Sequence, residues 1–203
     1  MATSQPAPRP VDPPALHDRA MDNLRFIRET MERASSFTAV SGWGEVTIGC
    51  TALVAAWIAS AQPTVERWIA VWIVEAVLSF VVAGVAMMRK AALAGIPLFT
   101  GAGRKFLLSF APAISVGALL TATLYRDGDV RALPGMWLVM YGTAVVAGGA
   151  FSVRSVIVMG LSFLGVGAVA LFAPFAARDL FMAIGFGVLH VVFGGVIARR
   201  HGG

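Results

Sequence analysis

Charged residues are scarce in this chain of 203 residues: they make up 13% of the sequence, whereas 58% of it is hydrophobic. A soluble domain carries about 25% charged and about 45–50% apolar residues, so an ordinary soluble domain is excluded. Intrinsic disorder is excluded as well, because a chain this apolar cannot stay solvated and open. The composition therefore predicts an integral membrane protein.

Residues for metal, cofactor and covalent chemistry are also few. The single cysteine, Cys50, cannot form an internal disulfide, and no Cys/His spacing typical of a metal site occurs. The sequence has no phosphate-binding P-loop, no dinucleotide-binding glycine motif and no basic stripe interleaved with aromatics. We therefore expect no cofactor, no metal and no nucleic-acid partner. The sequence shows no combination of nucleophile, general base and metal ligands that would favour an enzyme. Whether the protein is an enzyme is left open.

Six apolar stretches are long enough to cross a bilayer, since about 20 mostly apolar helical residues span about 30 Å of hydrocarbon. Charged residues, Pro or Gly bound each stretch. The predicted spans are about 43–62, 65–88, 106–125, 132–151, 155–173 and 179–198. The fold class predicted is an all-α, six-helix integral membrane bundle that occupies residues 37–203.

The chain before the first span divides into two parts. Residues 1–14 hold five prolines and no apolar core, which predicts a disordered tail. Residues 15–36 place apolar side chains at spacings of three and four, with Asp, Glu and Arg between them. That spacing predicts an amphipathic cytoplasmic helix. Its charges cancel, so it either lies along the membrane interface or under the bundle, or docks a partner protein or a second copy.

The basic residues predict the orientation, because cytoplasmic loops carry the excess of Lys and Arg. With the N-terminus inside, the inner segments hold five Arg before the first span and four Lys or Arg within 89–105, together with Arg154 and 199–200. The outer loops hold only Arg67, Arg126, Arg131 and Arg178. Both termini are therefore predicted to be cytoplasmic.

Two ionisable residues fall in the middle of predicted spans, where a charge costs about 2.5–3.5 kcal/mol on insertion scales. Glu75 lies about ten residues into the second span and His190 about eleven residues into the sixth. Both spans run inward in this topology, so the two side chains are predicted to share one depth and to be able to meet. Such a pair would serve as a proton relay or line a substrate pocket. Alternatively, each is only a hydrogen-bonded structural residue.

A second pair of charged residues is predicted at the inner membrane interface. Glu45 follows Trp43 in the segment Ser-Gly-Trp-Gly-Glu, which is typical of an interfacial turn with an aromatic anchor. Arg154 lies at the same predicted face. We expect Glu45 to stay near water and to form a salt bridge with Arg154.

A weak internal similarity pairs the first half of the spans with the second. Leu78-Ser79-Phe80 with Gly84 is echoed by 161–163 with a glycine at the same offset. A duplication of three spans would give two halves of inverted topology, an arrangement common among secondary transporters.

The segments FTAVSGWGE at 37–45 and PLFTGAGRKFLLS at 97–109 resemble a group of small bacterial multi-pass membrane proteins to which no function is assigned. The likeness extends over most of the chain. It implies a location in the bacterial cytoplasmic membrane and implies no chemistry.

Two functional hypotheses follow from these features. The first is a small transporter or channel, with proton coupling through Glu75 and His190. The second is a non-catalytic anchor or regulatory subunit that docks a partner through the N-terminal helix. The partners expected are the lipid bilayer and either a protein or a further copy of the chain.

Overall fold

The computed structural model describes residues 13–34, 37–95 and 98–201. The described chain is helical and contains no strand apart from one isolated bridge between Phe37 and Ser152. The α-helices are α1 Pro13–Ala34, α2 Gly42–Ser60, α3 Val65–Ala94, α4 Gly101–Arg126, α5 Leu133–Gly149, α6 Arg154–Phe172, α7 Arg178–Met182 and α8 His190–His201. Residues 1–35 and 36–203 form two separate units.

The first unit contains α1, whose side chains are described in part. Met21, Leu24, Ile27 and Met31 are exposed, each by more than half of its surface. They recur every three or four residues, so they lie along one side of the helix. The predicted tail 1–14 lies almost wholly outside the described residues.

Among the described residues of the second unit, six helical segments are long and apolar enough to cross a membrane. Their bounds are Gly42–Ser60, Val65–Ala94, Gly101–Arg126, Val130–Gly149, Arg154–Phe172 and Phe175–Arg200. This confirms the prediction of an all-helical chain with six spans. It makes the protein a multi-pass membrane protein in contact with lipid.

The second span is longer than predicted. The hydrophobic run stops at Arg89, but the helix continues until Gly95, which adopts the left-handed conformation (φ 64°) that ends many helices. Lys90 donates a hydrogen bond from Nζ to the Val40 carbonyl at 2.9 Å. Arg89 and Lys90 therefore mark the end of the apolar stretch but not the end of α3.

Two helix pairs organise the bundle. Helix α5 packs mainly on α6 and then on α4, and α2 packs mainly on α8 and then on α3. The first and fourth spans, which contain α2 and α5, are the most buried of the six, and those of α3 and α4 are the least buried. The core therefore lies around α2 and α5, with α3 and α4 on the lipid side.

Glycines at intervals of seven residues bring the paired helices together. A Cβ built on Gly142 of α5 would lie 2.8 Å from the Leu164 backbone nitrogen, and one on Gly160 would lie 2.8 Å from the Val146 nitrogen. Real Cβ atoms do not approach backbone this closely. Small residues allow close approach of transmembrane helices. The glycines that make such backbone contacts are Gly42 and Gly49 on α2, Gly135 and Gly142 on α5, Gly160 and Gly167 on α6, and Gly194 in the last span. Gly149 and Gly187 continue the seven-residue spacing, but a Cβ there would lie 3.2 Å from Ile157 and against the Leu53 side chain, respectively.

One end of the bundle is closed by the segment that precedes α2. Phe37 is buried, and its N–H donates to the Phe151 carbonyl at 2.7 Å while its carbonyl accepts from the Ser152 hydroxyl at 2.6 Å. Ser41 then caps α2 by accepting a hydrogen bond from the Gly44 N–H. We call this the Phe37 end.

The opposite end is held by Trp68, which is fully buried. Its indole Nε1 donates to Asp179 Oδ1 at 2.6 Å, and its ring stacks on Trp137 at 5.5 Å. The Arg178 guanidinium lies 5.4 Å from the same ring, within cation–π range. We call this the Trp68 end.

Candidate functional site

A cavity of about 440 Å³ lies inside the bundle. Its volume falls in the range of about 300–1,000 Å³ that holds drug-sized ligands. Helices α3 and α4 supply most of the lining, with contributions from α2, α5, α6 and the last span. Helices α3 and α4 hardly touch each other within the described residues, so the cavity lies behind the gap between them.

Three of the polar groups in the cavity wall form a cluster, the Glu45–Tyr141–His190 triad. The Tyr141 hydroxyl and His190 Nε2 share a hydrogen bond of 2.8 Å, in which the histidine tautomer decides the donor. The same Nε2 lies 3.5 Å from Glu45 Oε2. His190 is 1% exposed, and Glu45 Oε2 is buried with no hydrogen-bond partner among the described residues. The triad therefore places three groups that can hold a proton next to one another.

His190 is positioned by an unusual helical segment. The preceding residues, Ala183–Leu189, form a π-helix, and α8 begins at His190. The π-helix is rare and is frequent at functional sites. The ring of His190 packs edge-on against Phe163 and parallel to Phe186, with centroids 5.2 and 6.2 Å away. Its environment is therefore aromatic on two sides and polar towards Tyr141 and Glu45.

Glu75 lies in the wall of the same cavity and has different partners. Its Oε1 accepts hydrogen bonds from the hydroxyls of Thr51, at 2.8 Å, and Ser79, at 2.9 Å. Both bonds go to one oxygen, and no described residue bonds to the other, Oε2. Glu75 is 6% exposed and also lines a shallower groove between α2 and α3. It is therefore a buried carboxyl with half of its hydrogen-bonding capacity unused.

Glu75 and His190 line the same cavity, but each has other hydrogen-bond partners and the predicted contact between them is not formed. The partner of Glu75 on α2 is Thr51 and the partner of His190 on α2 is Glu45, and these two positions are about 9 Å apart along a helix. The prediction of equal depth was wrong because the last span begins four residues earlier than predicted, at Phe175. His190 therefore lies further from the Trp68 end than expected.

The expected salt bridge between Glu45 and Arg154 does not form among the described residues. Arg154 is exposed at the first position of α6. The side chain of Glu45 is 15% exposed and is directed to His190. The predicted interfacial turn is instead the start of α2: Ser41 is the N-cap and Gly42 begins the helix, with Trp43 64% exposed. The carboxylate turned inward because Glu45 faces α8, whose Gly194 backbone packs directly against it.

Aromatic side chains make up much of the remaining lining. They are Trp72, Phe80, Phe106, Phe110, Trp137, Tyr141 and Phe186. Trp137 donates its indole N–H to the Thr121 hydroxyl at 2.8 Å, whereas the indole N–H of Trp72 is buried without a partner in the described chain. That unused donor is available to a ligand or a water molecule.

Sequence reasoning missed Tyr141, Thr51, Ser79 and Trp72. Two of them carry a recognisable signal. Ser79 is four residues after Glu75 on one helix, a spacing that brings side chains together. Tyr141 is one of only two tyrosines and lies in the middle of the fourth span. Thr51 and Trp72 depend on how separate helices pack, which the local pattern does not encode.

Comparison with known proteins gives no relative: no family model, no curated protein and no solved structure matches this chain. Among the described residues there is no group of three or more His, Cys, Asp or Glu placed to hold a metal ion. The site itself therefore carries the functional argument. It defines a membrane protein with an internal, aromatic cavity whose titratable groups are Glu45, Glu75, Tyr141 and His190.

Proposed function

We propose that this protein is a small membrane carrier that binds a ligand in the internal cavity and exchanges a proton at the carboxyl groups of its wall. The observation that carries the proposal is the placement of Glu75 and the Glu45–Tyr141–His190 triad around one cavity of ligand size. Ionisable groups are costly within a membrane and mark ion paths or proton relays. A purely structural bundle has no need for two buried carboxyls beside an open volume.

The triad supports the proton step. His190 Nε2 is within 2.8 Å of the Tyr141 oxygen and 3.5 Å of Glu45 Oε2. A proton held on the Glu45 carboxyl can pass to the ring nitrogen with little movement of either side chain. Histidine serves commonly as a proton shuttle. Exchange between these groups therefore requires only side-chain motion within the cavity.

The arrangement of the helices supports movement of a ligand. The Phe37 end and the Trp68 end are both packed with buried aromatic side chains. Between these two ends, the α3–α4 side is the least packed part of the bundle. A carrier needs a site that can open and close, and a weakly packed side next to two packed ends supports such movement.

We also propose that both termini are cytoplasmic and that the membrane is the bacterial cytoplasmic membrane. The uneven distribution of Lys and Arg across the two sides supports the orientation. The resemblance of segments 37–45 and 97–109 to small bacterial membrane proteins supports the location.

Transport by reconstituted protein tests the carrier proposal. Proteoliposomes with an imposed pH gradient are incubated with a mixture of cationic, neutral and anionic amphiphiles, and their contents are measured by mass spectrometry. We expect at least one solute to accumulate with the gradient and to fail to do so with Glu45→Gln. Glu66→Gln is the matched control, because Glu66 is an exposed carboxyl outside the cavity. Contents identical to those of protein-free liposomes would contradict the proposal.

A second candidate is a non-catalytic anchor or regulatory subunit. It is favoured by α1, on which Met21, Leu24, Ile27 and Met31 are exposed along one side. Such a stripe is typical of a helix that binds a groove or another helix. Deleting residues 1–36 should then release a co-purifying polypeptide while leaving the six spans folded. A deletion that leaves the set of co-purifying proteins unchanged would count against this role.

A further inference from the structure

Apart from His190, the ionisable groups among the described lining residues of the cavity are acids. Glu45 and Glu75 line the cavity, and no Lys or Arg is among its described lining residues. Each carboxyl also has an oxygen, Oε2, without a hydrogen-bond donor among the described residues. Unpaired carboxylates in a low-dielectric site favour a positively charged partner. When these carboxyls are ionised, the cavity attracts cations and repels anions.

The aromatic lining points to the same charge. Seven aromatic side chains line the cavity. Aromatic faces carry negative electrostatic potential, and sites of this kind bind organic and quaternary ammonium cations. They also provide apolar surface that a small inorganic cation would not use. The matching ligand is therefore an organic cation with apolar substituents.

The entry route suits a molecule that dissolves in the bilayer. Helices α3 and α4 hardly touch within the described chain, and the lining residues Ile73 and Phe80 are each about half exposed on the membrane-facing side of α3. A lipophilic molecule can reach the cavity from the hydrocarbon without crossing the packed Phe37 or Trp68 end. Inorganic ions and sugars have no such route.

We infer that the ligand of this cavity is a lipophilic organic cation, which enters between α3 and α4 and binds to Glu75 among the aromatic side chains. This inference rests on the proposed carrier function and specifies its substrate class. Glu75 is the main carboxylate because its Oε1 is held by Thr51 and Ser79, leaving Oε2 available. Glu45 is partly occupied by His190.

Two probes of the same shape and opposite charge test the inference directly. Tetraphenylphosphonium is a lipophilic cation, and tetraphenylborate is its anionic counterpart. Binding to the detergent-purified full chain is measured by isothermal titration calorimetry. We expect tetraphenylphosphonium to bind and tetraphenylborate neither to bind nor to compete. Glu75→Gln should weaken cation binding at least tenfold, and the control Glu66→Gln should leave it unchanged.

The variant and the pair of probes give two independent measurements, so a folding defect in the variant would not prevent a conclusion. A glutamine at position 75 retains an oxygen that accepts from Thr51 and Ser79, so the fold should persist and is checked by gel filtration. The comparison of the two ions needs no variant. Equal binding of both ions, no binding of the cation by folded wild-type protein, or full cation binding by Glu75→Gln would each overturn the inference.

The outcomes also separate this inference from the carrier proposal. Cation binding without any transport in proteoliposomes would contradict the carrier and leave the ligand class standing. Transport of a neutral or anionic amphiphile in place of the cation would overturn the ligand class and leave the carrier standing.

Discussion

The close glycine contacts between α5 and α6 lead to a sharp prediction about stability. A Cβ on Gly167 would lie 2.8 Å from the backbone nitrogen of Val139 and 2.9 Å from the Cβ of Leu138. Backbone atoms cannot move aside as a flexible side chain can. Gly165 lies on the same helix, and a Cβ there would have no atom of another described residue within 4 Å beyond the backbone of its own helix. The two positions form a matched pair for substitution by alanine.

Overpacking of a close contact typically costs about 1–3 kcal/mol. For a chain of this size, 1 kcal/mol lowers the melting temperature by about 2–4 °C, so Gly167→Ala should lower it by roughly 2–12 °C. Gly165→Ala meets no obstacle and gains up to about 1 kcal/mol of helix propensity. Its melting temperature should stay the same or rise by up to about 4 °C.

Thermal unfolding of both variants in one detergent, followed by tryptophan fluorescence, measures the difference. The purified proteins must first elute as single species of equal size. Equal melting temperatures for the two variants, or a more stable Gly167→Ala, would refute the packing of α5 on α6 described above.

Three further predictions test other parts of the molecule. Trp68→Phe removes the indole donor and leaves Asp179 Oδ1 without that hydrogen bond, so the free energy of unfolding should fall by about 1–3 kcal/mol. Trp57→Phe, at a 77% exposed position, should leave the melting temperature unchanged. The cytoplasmic location of both termini is tested with single cysteines in a Cys50→Ala background. A cysteine in turn 127–129 should react with an impermeant maleimide added outside spheroplasts, whereas one in turn 98–100 should react only after lysis. The reverse pattern would contradict this orientation. Binding of tetraphenylphosphonium should weaken as the pH falls and should release protons, because protons compete with the cation for the cavity carboxylates Glu45 and Glu75; binding that is independent of pH would contradict the shared site.

The number of spans could be predicted because it depends on hydrophobic length, a local property of the sequence. The span boundaries depended on how each helix ends. Helix α3, for example, continues past Arg89 and Lys90 and ends at Gly95, which adopts the left-handed conformation. Charge marks where an apolar run ends, whereas capping decides where the hydrogen-bonded helix ends.

The candidate site was predictable residue by residue but not as a set of contacts. Glu75 and His190 stood out because ionisable residues within spans are costly, and both do line one cavity. The pairing of His190 with Glu45 was missed because it depends on the contact between α2 and α8, which are about 140 residues apart in the chain. Counting residues along each span gives the depth of a side chain in the membrane, but it does not show which helices are in contact.

The cavity itself could not be predicted from the sequence. It exists because α3 packs on α2 and α4 packs on α5, with little contact between α3 and α4. Hydropathy treats all six spans alike, so it gives no sign of which two are separated. The glycine spacing of seven residues identifies the close pairs, and the open pair is found only once those are assembled.

Native mass spectrometry of the protein extracted gently from its own membrane tests the central claim most directly. Gly84 lines the cavity with open space around a new Cβ, so Gly84→Phe should fill it, whereas Gly165→Phe adds the same side chain outside it. We expect the wild type and Gly165→Phe to carry a bound small organic cation and Gly84→Phe to lack it. A chain that carries a second polypeptide and no small molecule, equally in all three proteins, would contradict a ligand-binding carrier.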